Sequence, residues 1–310
     1  MCKIDVIIPT YKPDKSFFGL MESLCRQTVD IHKIIVMNTE EKYYEALLYG
    51  ERMHRMYKEK VRVYHLSKRE FDHGGTRHRA VCKSDADIFV MMTQDAFPVD
   101  ETLIEKLVEA LADERTAAAY ARQVPGEGCG LTERYTRGFN YPPESHVMYK
   151  EDLERCGIKT YFFSNVCAAY KRNIYDSLGG FVRHTIFNED MIYAAGAIQA
   201  GYGIAYAADA QVCHSHDYTV MQQFHRNFDL GVSQAQHPEI FKNTPSTSEG
   251  KKMVSQVSAS LRQEKQWKKL LYFYTQCTFK YTGYLLGKNY RRLPRALAKK
   301  CSGNKEYWNR

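Results

Sequence analysis

The sequence predicts an α/β fold, in which a mainly parallel sheet is flanked by helices and followed by a helical C-terminal extension. Short apolar runs bounded by turn residues alternate with helix-like segments through the first third of the 310 residues, as expected for successive β-α-β units. The composition changes after residue 243. We therefore expect a main domain at residues 1–235 and a basic, amphipathic helical extension at residues 236–310.

The first third supplies four buried strands, each ending where polar or turn-forming residues begin. Helical spacing of the apolar residues between them predicts crossover helices. The predicted strands are residues 5–9, 33–37, 61–66 and the run that ends at Asp95. The predicted helices are residues 15–27, about 40–56 and, after a loop at 71–75, a segment through about 83.

The pattern changes after residue 123. Residues 124–155 are rich in Gly, Pro, Tyr and charge, so we expect a long loop with short helices, and loops of this length are often functional. Regular elements return later, with Gly179 and Gly180 ending a helix. The expected elements are a strand within 160–170, a helix at about 171–178, a helix from Asn188 to about 200, and a strand at 202–212 that leads to His214 and His216.

The extension carries most of the positive charge. Residues 262–310 contain 13 Lys or Arg against 2 Glu, so the remainder of this chain of net charge +8 carries −3. This uneven placement argues against a nucleic-acid binder. An apolar stripe predicts an amphipathic helix, which either lies on an anionic membrane surface or packs on the body or on a second subunit. The stripe consists of Trp267, Leu270, Leu271, Tyr274, Tyr281, Tyr284 and Leu285.

Several features of the sequence indicate a cytoplasmic protein. The sequence contains no run of eighteen apolar residues, so no transmembrane helix is predicted. The N-terminus enters a strand without the apolar region of a secretory signal. The nine cysteines are scattered without a CxxC pair, which is typical of free thiols in a reducing compartment.

Two acidic positions suggest the chemistry. Asp95 follows the end of a buried strand, where ligands of open α/β sheets bind, and one carboxylate there suits a divalent cation that also contacts substrate phosphates. Glu189 and Asp190 follow much later in the chain. We interpret one acid as a metal ligand and another as a base, while a helix N-cap or first-turn acids are the structural alternatives.

The order of these motifs resembles that of family 2 glycosyltransferases with the GT-A fold, a Rossmann-like mixed sheet. Denser motifs are similar to the bacterial rhamnosyltransferase branch, and the resemblance covers about residues 3–235. The general motifs are residues 6–11, residues 34–38, Asp95 and Glu189-Asp190. The branch-like motifs are residues 71–77 (FDHGGTR), 93–96 (TQDA), 139–142 (FNYP), 188–191 (NEDM) and 214–216 (HSH).

The resemblance implies a Mg²⁺ or Mn²⁺ ion held by Asp95, although Thr93 stands where the usual DxD motif has its first acid. A histidine after the later strand completes the metal shell in such enzymes. His214 and His216 are both candidates because alternate residues of a strand face the same side, and imidazole with carboxylate oxygens suits Mn²⁺. A structural role is the alternative for each histidine.

The resemblance also implies an inverting displacement, with Asp190 as the base that deprotonates the acceptor hydroxyl. Glu189, Asn165 and Arg226 are expected to bind the acceptor, with the donor phosphate as the other expected ligand of Arg226. Arg226 lies in a QxxRW-like element in which Asn227 replaces Trp. A solvated helix face is the alternative for Arg226, and a core or turn role is the alternative for Asn165.

The donor is expected at the carboxyl edge of the sheet, where the resemblance places the nucleobase and diphosphate. Glycines allow close approach of the backbone, helix N-terminal amides favour anions, and Arg77 can pair with a diphosphate. Ordinary turns are the alternative. The donor-binding residues expected are Pro9, Thr10, Tyr11, Asn38, Glu40, His73, Gly74, Gly75, Arg77, Gln94 and Asp95.

We therefore predict an inverting, metal-dependent glycosyltransferase of bacterial cell-surface polysaccharide synthesis. The resemblance implies transfer of L-rhamnose from dTDP-rhamnose to a saccharide acceptor, which is lipid-linked if the tail binds membrane, and self-association is a further expectation. The alternatives are a UDP-hexose donor and a non-catalytic scaffold. A dinucleotide-dependent dehydrogenase is disfavoured because the turn after Pro9 lacks GxGxxG.

Overall fold

The computed structural model describes residues 2–49, 59–216, 218–244 and 247–309. Within these residues, nine strands form one mixed sheet in the order β3-β2-β1-β4-β8-β6-β9-β5, with β7 paired to β9. The strands are β1 Ile4–Tyr11, β2 Lys33–Thr39, β3 Val61–Leu66, β4 Ile88–Met92, β5 Phe97–Pro98, β6 Thr116–Val124, β7 His146–Met148, β8 Cys167–Lys171 and β9 Gly203–Cys213.

The first four strands run parallel, so their carboxyl ends share one edge of the sheet. β8 is antiparallel to β4, and its first residue Cys167 pairs with Met92 at the end of β4. The segment that leads into β8 therefore lies at that same edge. β6 and β9 are parallel to each other, with a register shift between Ala121 and Arg122, and they bring residue 214 to the edge as well.

Helices cover both faces of the sheet. The helices are α1 Ser16–Cys25, α2 Glu41–Leu48, α3 His73–Val81, α4 Leu103–Glu109, α5 Leu131–Asn140, α6 Leu153–Cys156, α7 Arg172–Ser177, α8 Glu189–Gln199, α9 Val220–Gln236, α10 Pro238–Phe241, α11 Thr247–Gln263, α12 Trp267–Lys288 and α13 Arg295–Cys301. Short 3₁₀ turns lie at Lys150–Asp152, Gly157–Tyr161, Tyr290–Arg292 and Lys305–Asn309. Along β1, Val6 and Ile8 enter one core and Ile7 enters the other, because successive strand side chains point to opposite faces.

The observed elements differ from the predicted ones in three places. The helix expected at 40–56 begins at Glu41 and ends at Leu48, with Tyr49 in an extended conformation, and residues 50–58 lie outside the described residues. The strand expected within 160–170 begins only at Cys167, so Asn165 lies in the preceding turn and not in a strand. Residues 124–155, expected to be mostly loop, include α5 and β7.

The C-terminal helices pack on the body through glycines. A Cβ on Gly287 would lie 2.1 Å from the carbonyl oxygen of Phe228, and one on Gly283 would lie 2.4 Å from that of Phe224. On the other helix, a Cβ on Gly231 would lie 2.4 Å from the carbonyl oxygen of Tyr284. Small residues thus let the backbones of α9 and α12 approach closely. Helix α9 ends at Gln236, one residue beyond the predicted domain boundary at residue 235.

The apolar stripe predicted for α12 is divided between two environments. Leu270 is buried and packs against α11 residues, whereas Trp267 and Leu271 are 61% and 70% exposed. Tyr281 and Leu285 are exposed as well. Among the described residues, no helix combines the length and apolarity needed to cross a bilayer. All nine cysteines are described and are free thiols.

Candidate active site

A cavity of about 680 Å³ opens at the carboxyl edge of the sheet, which is the volume of a small-molecule site. Most predicted site residues line it, although they come from segments far apart in the chain. Those predicted residues are Pro9, Thr10, Tyr11, His73, Arg77, Gln94, Asp95, Asn165, Glu189, Asp190, His214, His216 and Arg226. The lining does not include four predicted donor-binding residues, Asn38, Glu40, Gly74 and Gly75.

One wall of the cavity holds a carboxylate and two imidazoles. The Nε2 atom of His216 lies 3.2 Å from Oδ2 of Asp95, and Nε2 of His214 lies 3.6 Å from its Oδ1. Their ligand atoms all lie within 4.8 Å of one another. One carboxylate and two nitrogens of this kind suit Mn²⁺, so the donor set fits the divalent cation expected from the sequence.

The imidazoles are held in their neutral form. Burial lowers the pKa of His214 to about 3, with Asp95 opposing and the charges of His216, Arg137 and Arg226 adding to the effect. Burial also lowers the pKa of His216. A neutral imidazole has a free lone pair and can act as a ligand, so both histidines are competent at neutral pH.

The lining of the same cavity also includes the acidic pair at the start of α8. The carboxylate of Asp190 accepts hydrogen bonds from the backbone N–H of Asn165, at 3.1 Å, and of Met191, at 2.8 Å. Glu189 accepts one from the Asn165 side-chain amide at 3.0 Å. Asn188 precedes the pair with φ of 70°, a left-handed conformation that asparagine tolerates. These contacts fix the direction in which each carboxylate points.

The two neighbouring carboxyls differ in pKa. Burial, reinforced by the charge of Glu189, raises the pKa of Asp190 to about 7. For Glu189, burial acts to raise the pKa, but Arg77, His73 and Asn165 together lower it below its usual value. Glu189 is therefore ionised at neutral pH, whereas Asp190 titrates near neutrality, where a general base works best.

Arg77, which was predicted to bind the diphosphate, lines the cavity and also contacts Glu189. Its Nε lies 3.2 Å from Oε1 of Glu189, and its Nη1 donates to the carbonyl of His73 at 3.0 Å. The Nε–H is not directed at the carboxylate, so the contact is an ion pair without a hydrogen bond. This geometry assigns Arg77 to the acidic pair.

The two glycines of the same motif serve the packing of α3. The helix begins at His73, with Asp72 as its N-cap accepting from the Gly75 N–H at 2.7 Å. A Cβ on Gly74 would lie 1.8 Å from the carbonyl oxygen of Val182. The cap carboxylate occupies the helix N-terminus that was expected to bind an anion, and the absent Cβ makes room for the loop at 182.

The ends of β1 and β4 are joined beside the cavity. The backbone N–H of Tyr11 donates to Oε1 of Gln94 at 2.8 Å, and Nε2 of Gln94 donates back to the Tyr11 carbonyl at 3.2 Å. Asn38 instead lies buried, accepting from Thr10 Oγ1 at 3.1 Å and contacting His65. Asn38 thus ties strand ends together outside the cavity, and Glu40 accepts from the Lys68 N–H.

Arg226 reaches the cavity from α9. Its guanidinium lies 5.3 Å from the ring centre of Phe187 and 4.8 Å from that of Tyr218, which are cation–π distances. Within the described part of the chain, Oγ1 of Thr93 and Nδ2 of Asn188 are buried beside the cavity without a protein partner. Orphan polar groups on a cavity wall are free to bind a ligand.

Two residues behind the histidines were not predicted from the sequence. Gln123, at the end of β6, is 4% exposed, and its Oε1 lies 2.9 Å from Nδ1 of His214. Arg137 of α5 contacts Gln123, Glu133 and His214. The contacts of these two residues with His214 could not be predicted, because the segment 124–155 that contains Arg137 has no strong periodic pattern.

Sequence comparisons identify relatives along almost the whole chain. The sequence profile of the family described as "Glycosyl transferase family 2" matches residues 5–179. The O-antigen chain rhamnosyltransferase RfbN of Salmonella typhimurium is 37% identical over 312 residues, which span 99% of this chain and 96% of that protein. The O-antigen chain rhamnosyltransferase WbaN of Salmonella anatum is 40% identical over 79% of this chain and 78% of its own.

Solved structures are similar in fold at low sequence identity. A mannosyltransferase from Pyrobaculum calidifontis, in complex with GDP-Man and Mn²⁺, matches with a TM-score of 0.64 at 14% identity, over 94% of this chain and 86% of that one. S. aureus TarS residues 1–349, in complex with UDP-GlcNAc, match with a TM-score of 0.51 at 12% identity, over 93% and 92%. These two similarities concern the fold alone.

Proposed function

The chain belongs to glycosyl transferase family 2, and from that membership we propose that it transfers L-rhamnose from dTDP-rhamnose to a hydroxyl group of a saccharide acceptor. It is a glycosyltransferase enzyme with a GT-A type sheet and a helical C-terminal region. The family, the fold class and the enzyme class predicted from the sequence are thus confirmed. The donor, the stereochemistry and the residue roles are proposals.

One observation carries the proposed chemistry. The Asp95–His214–His216 cluster and the Asp190 carboxylate line the same cavity of about 680 Å³. A sugar transfer from a nucleotide needs one group to receive a proton and another to stabilise a leaving diphosphate. The lining of the cavity therefore includes groups suited to both tasks.

In the proposed reaction, Asp190 acts as the catalytic base. Its carboxylate takes the proton of the acceptor hydroxyl while that oxygen forms a bond to the anomeric carbon. The bond from that carbon to the diphosphate breaks on the opposite face, and the nucleoside diphosphate leaves with the electron pair, so the configuration inverts. The two backbone N–H groups on Asp190 fix the direction of its free lone pairs.

The remaining residues bind and orient. Pro9, Thr10, Tyr11 and Gln94 are proposed to contact the nucleoside, because they line the cavity at the ends of β1 and β4. Asn165, Glu189 and Arg226 are proposed to contact the acceptor, with Glu189 also setting the charge beside Asp190.

Asp95, His214 and His216 would hold a divalent cation, Mn²⁺ or Mg²⁺. Such an ion, when bound, neutralises negative charge on a diphosphate. The chemistry of the donor set fits, since two neutral imidazoles and a carboxylate converge within 4.8 Å. The Mn²⁺ named for the structurally similar mannosyltransferase is consistent with this proposal.

The rhamnosyl donor is supported by the two relatives named as O-antigen chain rhamnosyltransferases. On the same basis, the acceptor is a growing surface polysaccharide. The alternative donor is a UDP-hexose.

The donor is tested by nucleoside diphosphate release with a rhamnose-containing acceptor. Purified enzyme with Mn²⁺ is offered dTDP-rhamnose, UDP-glucose and UDP-galactose in parallel. We expect release from dTDP-rhamnose alone, abolished by a chelator and restored by Mn²⁺. Turnover of a UDP-sugar alone would refute the rhamnosyl assignment while preserving the proposed chemistry.

The base is tested with Asp190→Asn, and exposed Asp209 supplies a matched control. Loss of a general base costs about 10²–10⁴-fold in kcat, and donor affinity measured by calorimetry is expected to stay unchanged. Asp209→Asn should keep full activity. If Asp190→Asn retains wild-type kcat, another group accepts the proton.

We also propose that α12 contacts an anionic membrane surface. Trp267, Leu271, Tyr281 and Leu285, here called the α12 stripe, are exposed along one side of the helix. Lys268 and Lys269 lie at one end, Arg291 and Arg292 lie beyond the other, and basic groups beside apolar side chains favour anionic interfaces.

Cosedimentation with vesicles tests this contact. The protein should bind vesicles containing anionic phosphatidylglycerol and not purely zwitterionic ones. Replacing Trp267 and Leu271 by Ser should abolish binding, whereas Val99→Ser, at another exposed apolar position, should not. Equal binding by both variants would exclude the α12 stripe as the contact.

A further inference from the structure

We propose that Gln123 is a positioning residue that selects the tautomer of His214, so that its Nε2 lone pair faces the cation site. The inference rests on the proposed function, because it takes Asp95, His214 and His216 as that site. It concerns a buried residue 91 positions away from the histidine in sequence.

The pairing of β6 with β9 brings the two residues together. The strands are parallel, with Gln123 opposite Val212 and Val124 opposite Cys213. The backbone N–H of His214 then donates to the Val124 carbonyl at 3.1 Å. The Gln123 side chain consequently lies beside the His214 ring.

The orientation of the Gln123 amide is fixed by its neighbours. Arg137 contacts the atom of the amide that faces His214, and a guanidinium can only donate. That atom must therefore be the carbonyl oxygen Oε1. The amide nitrogen faces the hydroxyl groups of Ser164, at 3.0 Å, and Tyr141, which can accept.

This orientation determines where the His214 proton lies. Nδ1 of His214 is 2.9 Å from Oε1 of Gln123, and two bare acceptors would repel each other at that distance. Nδ1 must therefore carry the hydrogen. Arg137 Nη1 is 3.3 Å from Nδ1 because the two donors converge on the two lone pairs of one oxygen.

The neutral ring then has no hydrogen on Nε2, which lies 3.6 Å from Oδ1 of Asp95. A nitrogen lone pair and a carboxylate oxygen face each other across this gap, an arrangement that a cation stabilises. Metal-bound histidines usually donate their other ring N–H to a neighbouring acceptor, and Gln123 fulfils that role here.

Two substitutions separate this role from simple packing. Gln123→Met has similar length but no acceptor, and Arg137 would then donate to Nδ1 and favour the Nε2–H tautomer. Gln123→Glu keeps an acceptor for both donors. Histidine ¹⁵N NMR of the metal-free proteins reports the tautomer, and electron paramagnetic resonance reports binding of Mn²⁺ without nucleotide.

We expect Nδ1–H in the wild type and in Gln123→Glu, and Nε2–H in Gln123→Met. The Mn²⁺ affinity should fall about 10–100-fold in Gln123→Met alone. Nε2–H in the wild type, or wild-type Mn²⁺ affinity in a folded Gln123→Met, would overturn the positioning role. Failure of the wild type to bind Mn²⁺ would instead overturn the cation site itself, and with it this inference.

Discussion

Nε of Arg77 lies 3.2 Å from Oε1 of Glu189, and less than one tenth of either side chain is exposed. This ion pair stabilises the charge of Glu189, although burial opposes it. The charge of Glu189 in turn acts on Asp190 next in sequence and raises its pKa. Arg77, which is also predicted to bind the donor, thus acts on the proposed base through a neighbouring acid.

The first prediction concerns the pH dependence of kcat/KM. Because the base must be ionised, activity should rise with pH through about 7, the pKa of Asp190. Glu189→Gln removes the like charge that raises this pKa, so the acidic limb should move to lower pH by about one unit. Rates measured from pH 5 to 9 with saturating donor check the shift. If the acidic limb of the pH profile stays in place, a group other than Asp190 controls the activity there.

The second prediction concerns the stability of the buried ion pair. Arg77→Met should lower the free energy of unfolding by about 3–5 kcal/mol, because Glu189 is left as an unpaired buried charge. Adding Glu189→Gln should recover part of this loss, with a coupling of about 1–3 kcal/mol. Urea unfolding of the wild type, the two single variants and the double variant gives the four free energies of this double-mutant cycle.

The exposed pair of Arg155 with Asp152 supplies the comparison for that cycle. Arg155→Met should cost less than about 1 kcal/mol, since solvent screens surface pairs. Additive effects of the Arg77 and Glu189 substitutions would show that the two side chains do not stabilise each other.

The third prediction concerns the contact of α9 with α12. Gly287→Ala should destabilise the protein by about 1–3 kcal/mol, because the new Cβ would meet the Phe228 carbonyl oxygen at 2.1 Å. Gly250→Ala, at an exposed position of α11 with nothing within 4 Å, should stabilise by about 0.5–1 kcal/mol. Thermal and urea unfolding compare the two variants. The same sign for both would argue against close helix packing.

The fourth prediction concerns Asp229 of α9, which accepts from the backbone N–H groups of Gly303 at 2.9 Å and Asn304 at 3.3 Å. Burial raises its pKa to about 6. Since the folded pKa exceeds the unfolded value of about 3.9, the contribution of Asp229 to the free energy of unfolding is greatest below pH 4. It is lost as pH rises towards 6, at a cost of roughly 2–3 kcal/mol.

Asp229→Asn keeps an acceptor for both N–H groups and does not titrate. The stability of this variant relative to wild type should therefore rise between pH 4.5 and 7, as followed by urea unfolding. A difference that stays constant over this range would show that Asp229 has an ordinary pKa.

The elements that place the cavity were largely predictable. Apolar runs fixed the four parallel strands of the first third, and the residues that follow their carboxyl ends had to meet at one edge. Asp95 was found in this way, whereas Asp190, His214 and His216 were identified by the resemblance of their motifs to those of the family. Asn165 lies at the same edge for a different reason, because it is in the turn that precedes the antiparallel strand β8.

The glycines were harder to interpret. Gly74 and Gly75 were expected near a diphosphate because glycine allows close approach of any group. The group that approaches Gly74 is the Val182 backbone, which lies more than a hundred residues further along the chain. Gly283 and Gly287 form a small-residue pair in α12, but their partners on α9 could not be identified without the packed structure.

The sequence by itself determined the family, the sheet of the first third, and the set of residue types at its carboxyl edge. These properties follow from local patterns, namely apolar periodicity, strand ends and short motifs. The tertiary structure alone decided that Arg77 pairs with Glu189 and that Gln123 contacts His214. Each contact joins residues about ninety or more positions apart, so it depends on strand order and helix packing, which no local pattern specifies.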